Sequence, residues 1–589
     1  MTIRDQPTIP RIPEERAQRY RADGWWQPVT LDQLVLRHGD RVPSKCALVA
    51  GDRRMTYGEL ASSVDRAAAL LATRGLRRGD AVVVQLPNSL EFVVLVLALM
   101  RIGALPMLIL PALRGYEIER VLRLVRPRAM ALPHRMPRFD HLAMVQELRP
   151  RHPYLETLLL TGEPPVGPDI VDLSELCDPA SASARAAVPA HQPSARAEPH
   201  DAALLLLSSG TSGPPKMIAR THEDYGHVIR TASKTAGLDA DSVYFAVMPA
   251  AHTFTLACPG ILGTLAFGGR VVLGSAEDPR RTLRLIEQER VTHCAVVPAL
   301  LGQWSTVLRS DHFDISSLAA VQVGGARLDP AGVEQARSVL GSVVQQVYGM
   351  TEGLVNSTRL DDPAEVVSSS QGRPVSAAEE LLIVDDAGEP VPPGRTGQLL
   401  TRGPATIAGY YRDEAATENA FTADGFYRTG DLVRLLPSGN LAVVGRIKNV
   451  INRSGEKVCA EELEQLLREL DDIAEVAAVA GPHPMHGEIV CLYVVPAGEK
   501  LPELRELRQH LESRGLARYK LPERLQLLDA MPLIGVGKLD RAALREAAAA
   551  AERTRAERRS AHSKPGGGDL QEVAVEGVAP ARRPQPLDT

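Results

Sequence analysis

The sequence predicts an α/β protein: parallel sheets layered with helices through a large N-terminal part, then a small α+β unit near the C-terminal end. Two observations predict it. Short apolar runs without alternation, read as strands buried on both faces, take turns with stretches whose apolar residues recur at helical spacing. Near the end that rhythm changes to one helix followed by two strand candidates, within about a hundred residues.

In chain order, "AVVVQL" (81–86) reads as a strand, and residues 90–100 read as the helix after it. The most apolar stretch, 93–110, is interrupted by Arg101, Gly103 and Pro106, so it reads as a buried helix and then a strand, not a membrane span. "RVVLG" (270–274), "RRTLRLIEQER" (280–290) and "CAVVPAL" (294–300) repeat the strand–helix–strand order. Residues 178–200 are rich in Pro, Ala and Ser and read as an exposed loop. "AEELEQLLRELDDI" puts Leu463, Leu466, Leu467 and Leu470 on one helix face, ahead of strand candidates "EVAAVAG" and "EIVCLYVVP". From about residue 550 the chain is charged, then rich in Gly and Pro, and reads as a disordered tail.

The 589 residues are 44% hydrophobic, enough for a sizeable core and several domains. A net charge of −5 gives no electrostatic case for nucleic acid. Six cysteines, at 46, 177, 258, 294, 459 and 491, form no CxxC pair. That argues for a reducing compartment without a zinc site or disulfide framework. The N-terminus has no apolar secretion segment, so a cytoplasmic location is expected.

The chemistry begins at "SSGTSGPPK" (208–216), which follows an apolar run, 203–207. Small residues let backbone N–H groups close on an anion, hydroxyls add donors and Lys216 adds charge. The spacing is not that of a Walker P-loop, because Gly210 and Gly213 are too close and Met217 follows Lys216. A Ser/Gly surface turn is the alternative at this point.

Four more blocks stand in order behind that loop: "QVYGMTEG" (346–353), "GFYRTGD" (425–431), "GRIKNVINRSGEKV" (445–458) and "PLIGVGKLDR" (532–541). Singly, each could be a capped turn. Together, their order and spacing resemble the adenylate-forming superfamily over about residues 20–548. Within it, "THEDY", "AAHTFTLACPG", "QVGGARL", "GMTEGLVNSTRLDDP" and "QLLTRGPATIAGYYR" resemble the stand-alone aryl-acid AMP ligases that activate 2,3-dihydroxybenzoate or salicylate.

The resemblance implies a large domain, 1–445, of parallel-sheet layers plus a β-barrel-like part. It also implies a small mobile domain, 446–549, carrying a catalytic lysine, with the tail at 550–589. It implies two steps: a carboxylate attacks the α-phosphate of ATP, then a thiol displaces AMP. Ser208, Ser209, Gly210, Thr211, Ser212, Gly213 and Lys216 would grip the phosphates, and Tyr348, Asp431 and Arg446 would hold the rest of the nucleotide. Thr351 would bind phosphate, Glu352 would hold Mg2+, and Lys538 would stabilise the transition state. The aryl-acid pocket would use His252, Thr253, Phe254, Cys258, Gly324, Gly325 and Val347, and Lys448 would be the hinge between the two steps.

Two pocket positions depart from the resemblance. Thr253 stands where those ligases carry Asn, and Cys258 stands where the dihydroxybenzoate type carries Ser. The implied acid is therefore salicylate-like, with an ortho hydroxyl or amine. The implied acceptor is the phosphopantetheine of a separate aryl carrier protein, with coenzyme A as the alternative. Neither nucleic acid nor membrane is expected as a partner.

Overall fold

The computed structural model describes residues 9–562 except 138, 163–166, 178–196, 209–215, 326–327, 329, 342, 386, 447–449, 499 and 535–537. Two large sheets form the N-terminal part. The first has nine strands, and its six central ones are parallel: 344–349, 320–323, 293–296, 243–246, 270–273 and 46–50. The second has seven strands; 202–207, 105–108, 81–84, 129–133, 157–161 and 170–172 are parallel, and Met217–Thr221 closes one edge antiparallel. Chain reversals at these edges let parallel cores end without a further crossover.

The helix Leu90–Arg101 explains the apolar stretch. Ser89 caps it, its hydroxyl accepting from the Phe92 N–H at 3.2 Å, and residues 90–100 are buried on every side. One core cluster joins this helix to Leu48 and Val271 of the first sheet and to Val82 and Leu204 of the second. A helix packed between two sheets has no polar face to keep. Among the described residues no helix is long and apolar enough to cross a membrane.

The strand–helix–strand expectation at 270–300 holds as Arg270–Leu273, Pro279–Glu289 and His293–Val296. "CAVVPAL" divides, however: the strand stops at Val296, and Pro298 opens the helix Pro298–Ser310, because proline lacks the N–H a strand would use. The part expected to be barrel-like is a four-stranded antiparallel sheet in the order 380–384, 396–402, 427–435, 441–446. Its last strand ends at Arg446, and the next sheet starts with Val450–Arg453. The hinge candidate Lys448 lies between them, outside the described residues. Most of the loop expected at 178–200 lies outside them too.

The C-terminal domain is a five-stranded sheet with helices. Leu463, Leu466 and Leu467 are buried on the helix Ala460–Leu467, while Leu470 packs on the same cluster from beyond the helix end. The strands Ile473–His483 and Gly487–Pro496 are the two expected there, each longer than the sequence suggested. The tail expected from 550 does not begin there: the helix Arg541–His562 runs on, and residues 563–589 lie outside the described residues. Its alanine-rich start propagates a helix, and Leu544 and Ala548 bury against Ala477, Val479 and Tyr493.

Candidate active site

One cavity of about 340 Å3 lies at the carboxyl ends of parallel strands from both sheets. Strands 105–108 and 202–207 of the second sheet and 320–323 and 344–349 of the first deliver residues to it just past their ends. Loops at carboxyl ends are where open parallel sheets hold ligands. The cavity gathers Ser208, Lys216, His252, Thr253, Phe254, Cys258, Gly324, Gly325, Val347, Tyr348, Thr351, Glu352 and Asp431, all anticipated in the sequence. Ser209, Gly210, Thr211, Ser212 and Gly213 lie outside the described residues, and nothing is described of the Arg446 and Lys538 side chains. In backbone register Arg446 faces Asp431 directly, and Lys538 pairs with Ile534 in a short antiparallel hairpin.

The hydroxyl-rich loop is pinched at its neck. Ser208 N–H donates to the Lys216 carbonyl at 2.8 Å, and Lys216 N–H donates to the Ser208 hydroxyl at 3.0 Å. The Lys216 ammonium stands 4.6 Å above the centre of the Tyr410 ring. Tyr410 in turn donates its phenol proton to Glu352 Oε1 at 3.0 Å and lies 3.3 Å from the Tyr427 hydroxyl. Glu352 is buried, so each of its oxygens needs a partner.

Two features hold the Thr351–Glu352 loop. The Arg220 guanidinium, fully buried, pairs with Asp224 at 2.7 Å and donates to the carbonyls of Thr351 and Ala405, both at 2.9 Å. Gly353 adopts φ +153, where a Cβ would meet the Ala405 carbonyl oxygen at 2.5 Å, so only glycine fits the turn after Glu352. Beneath, Glu379 Oε1 accepts from Ala405 N–H at 3.1 Å, and burial pushes its carboxyl up to about 7.

Asp431 is buried and accepts the Tyr348 phenol at 2.6 Å on Oδ2. At the other end the cavity narrows to an apolar slot. A Cβ on Gly324 would come within 3.0 Å of the Phe254 ring and of the Val347 carbonyl oxygen, so the ring lies flush against backbone there. Cys258 is buried among Val228, Val347 and Val355, and burial pushes its thiol up to about 12, so it stays neutral. The Thr253 hydroxyl is buried, with the equally buried Tyr225 phenol as its neighbour. His252 presents its ring to the open cavity although protein surrounds it, and that depth, with Lys457 nearby, pushes it down to about 4.

Sequence reasoning missed several residues here. Tyr410 and Tyr427 stood inside quoted blocks, "AGYYR" and "GFYRTGD", but carried no assigned role. Asn452, Gly455 and Lys457 come from the hairpin of strands Val450–Arg453 and Glu456–Cys459. The Asn452 amide donates to the Gly325 carbonyl at 2.6 Å, bringing the C-terminal domain to the cavity. The polar run "INRSGEK" was the available signal for that contact. Among the described residues no three His, Cys, Asp or Glu side chains cluster as a metal site.

Known proteins resemble this chain. Residues 35–411 match the family described as AMP-binding enzyme, and residues 462–538 match the AMP-binding enzyme C-terminal domain. A salicylyl-CoA synthase / salicylate adenylyltransferase of a Streptomyces species is 46% identical over 538 residues, covering 91% of this chain and 96% of the relative. A 2,3-dihydroxybenzoate-AMP ligase of Bacillus subtilis is 40% identical over 535 residues, with 91% and 96% covered. Among solved structures, the apo structure of MbtA from Mycobacterium smegmatis superposes with a TM-score of 0.68 at 39% identity, covering 92% of this chain and 98% of that one.

Proposed function

The chain belongs to the AMP-binding enzymes of the adenylate-forming superfamily, as a ligase, and from that premise we propose that it activates a salicylate-like aromatic acid. The acid becomes an acyl-adenylate at the expense of ATP, then passes to the phosphopantetheine thiol of a separate carrier protein. The observation that carries this reading is the joining, in one cavity, of the Asp431–Tyr348 pair and the Glu352 loop to the apolar slot of Phe254, Cys258 and Val347.

In the first step a carboxylate oxygen attacks the α-phosphorus of ATP and pyrophosphate leaves. Both reactants are anionic, so charge neutralisation and alignment do most of the catalysis. Asp431, with two acceptor oxygens, suits a ribose diol, and Tyr348 fixes one of those oxygens in place. Ser208 and Lys216 set the neck of the phosphate loop, and Lys538 is the cation we assign to the attacking carboxylate. A single buried carboxylate, Glu352, suits Mg2+, which takes few protein ligands and fills its shell from phosphate and water. The ion would supply positive charge beside the phosphates. The neutral Cys258 and the buried Thr253 hydroxyl favour an acid with one ortho polar group over one with a further hydroxyl at position 3.

A second reading passes the acyl group to coenzyme A. The relative named as a salicylyl-CoA synthase favours it. Pyrophosphate exchange over a panel of aromatic acids tests the first step. Product analysis with coenzyme A, or with a holo-carrier protein, decides between the acceptors. Exchange with aliphatic acids only would overturn the aryl-acid assignment. The cysteines described are all free thiols, which supports a cytoplasmic setting.

A further inference from the structure

The cavity has an arm that neither nucleotide nor acid accounts for. One wall is the helix Gly115–Val125 and the residues before it, including Leu110, Leu113, Val121 and Leu124. The other wall is the C-terminal domain, through Tyr519, Lys520 and Glu462. Leu124 is 49% exposed, so the arm opens at the surface.

Charged groups join the two walls. Lys520 is buried, with its ammonium 2.9 Å from Glu462 Oε2 and 3.4 Å from Glu117 Oε1. Glu117 belongs to the opposite wall and does two jobs. Its Oε2 accepts from Arg114 N–H at 3.0 Å, capping its own helix, while its Oε1 accepts from Ala517 N–H of the C-terminal domain at 2.9 Å. Arg120 reaches across to Glu462 Oε1 at 3.2 Å. The backbones nearly touch as well: a Cβ on Gly515 would lie 2.7 Å from the Tyr116 nitrogen. Burial raises the carboxyl pKa of Glu456, on the hairpin that carries Lys457 to the cavity, and the Lys520 charge only partly opposes that.

We propose that Glu117 and Lys520 are positioning residues for the acceptor thiol: they fix the C-terminal domain against the helix Gly115–Val125 so that the arm is held open as the thiol's route to the acyl-adenylate. This rests on the reading that a thiol takes the acyl group. When the thiol arrives, acid and nucleotide already fill the cavity, so the second step alone needs an open path from the surface. In that step the sulfur bonds the acyl carbon, the bond from that carbon to the AMP oxygen breaks, AMP leaves with the electron pair, and the thiol proton passes to solvent.

The test measures both steps in Lys520→Met, Lys520→Arg and Glu117→Gln. Pyrophosphate exchange reads the first step, and transfer to coenzyme A and to free pantetheine reads the second. We expect Lys520→Met to cut transfer by about tenfold or more, with KM for the thiol raised, while exchange stays within about threefold of wild type. Lys520→Arg should recover much of the transfer, and amide exchange at Ala517 should quicken in Lys520→Met and Glu117→Gln. If Lys520→Met does not fold, Glu117→Gln carries the same comparison. Equal loss of both steps, or unchanged transfer, overturns the proposal. A wild type that exchanges pyrophosphate yet acylates neither thiol overturns the transfer reading instead.

Discussion

The Tyr348 phenol donates a 2.6 Å hydrogen bond to Asp431, although 83 residues separate them. Tyr348 lies near the end of a strand in the nine-stranded sheet, Asp431 on a strand of the four-stranded sheet, and the contact ties the two sheets at the cavity.

Tyr348→Phe should therefore loosen nucleotide binding without collapsing the site. A hydrogen bond to a charged group contributes about 1.5–3 kcal/mol, so KM for ATP should rise by roughly tenfold or more while KM for the acid changes little. Steady-state kinetics with each substrate varied in turn checks this. An equal rise in both would show that Tyr348 supports the fold rather than the nucleotide.

Lys538→Ala tests the cation assigned to the first step. One preorganised donor at developing charge is worth about 3 kcal/mol, so acid-dependent pyrophosphate exchange should fall at least about a hundredfold. Near-normal exchange would remove Lys538 from that role.

The acyl slot makes a prediction about choice of acid. Cys258 offers a weak hydrogen-bonding thiol inside an apolar cluster, so a buried 3-hydroxyl would lose about 1–3 kcal/mol there. Salicylate, anthranilate or 3-hydroxypicolinate should outrank 2,3-dihydroxybenzoate by kcat/KM in the wild type. Cys258→Ser should raise kcat/KM for 2,3-dihydroxybenzoate selectively, by roughly tenfold. If 2,3-dihydroxybenzoate is already the best acid, the slot has been read wrongly.

Glu379 sets a pH dependence. Its carboxyl titrates at about 7 in the folded protein against an ordinary value of 4.5, because burial opposes its charge. The unfolded chain therefore releases this proton first. Stability is lost as pH rises between those two values and levels off above them. Glu379→Gln removes the titration. Its melting temperature relative to wild type should thus be higher at about pH 8 than at about pH 5, by a few degrees. A difference that does not vary with pH would contradict this.

Much of the site was legible because its motifs are local. Ser208 and Lys216 sit eight residues apart across one loop, and the neck they form is that loop's own hydrogen bonding. Cys258 and Phe254 are likewise neighbours in one short segment. What escaped was made by packing between distant segments. Tyr410 reaches Glu352 across 58 residues, and Glu117 meets Ala517 across 400. A tyrosine in a turn or a glutamate in a first helical turn already has a sufficient local explanation, so nothing in the sequence asks for a remote partner. The fold class was legible from apolar runs. The end of the last helix was not, because its charged stretch looks solvated until the strand that receives it is known.

That last helix also decides where the chain can be cut. Glu552 is buried and forms an ion pair with Arg524 on the strand Arg524–Leu527, two residues past the point where the sequence predicts a tail. A protein shortened after residue 549 would keep the arginine and lose the carboxylate, leaving a largely buried guanidinium without its counter-charge. Trimming by a carboxypeptidase should accordingly stall beyond Glu552.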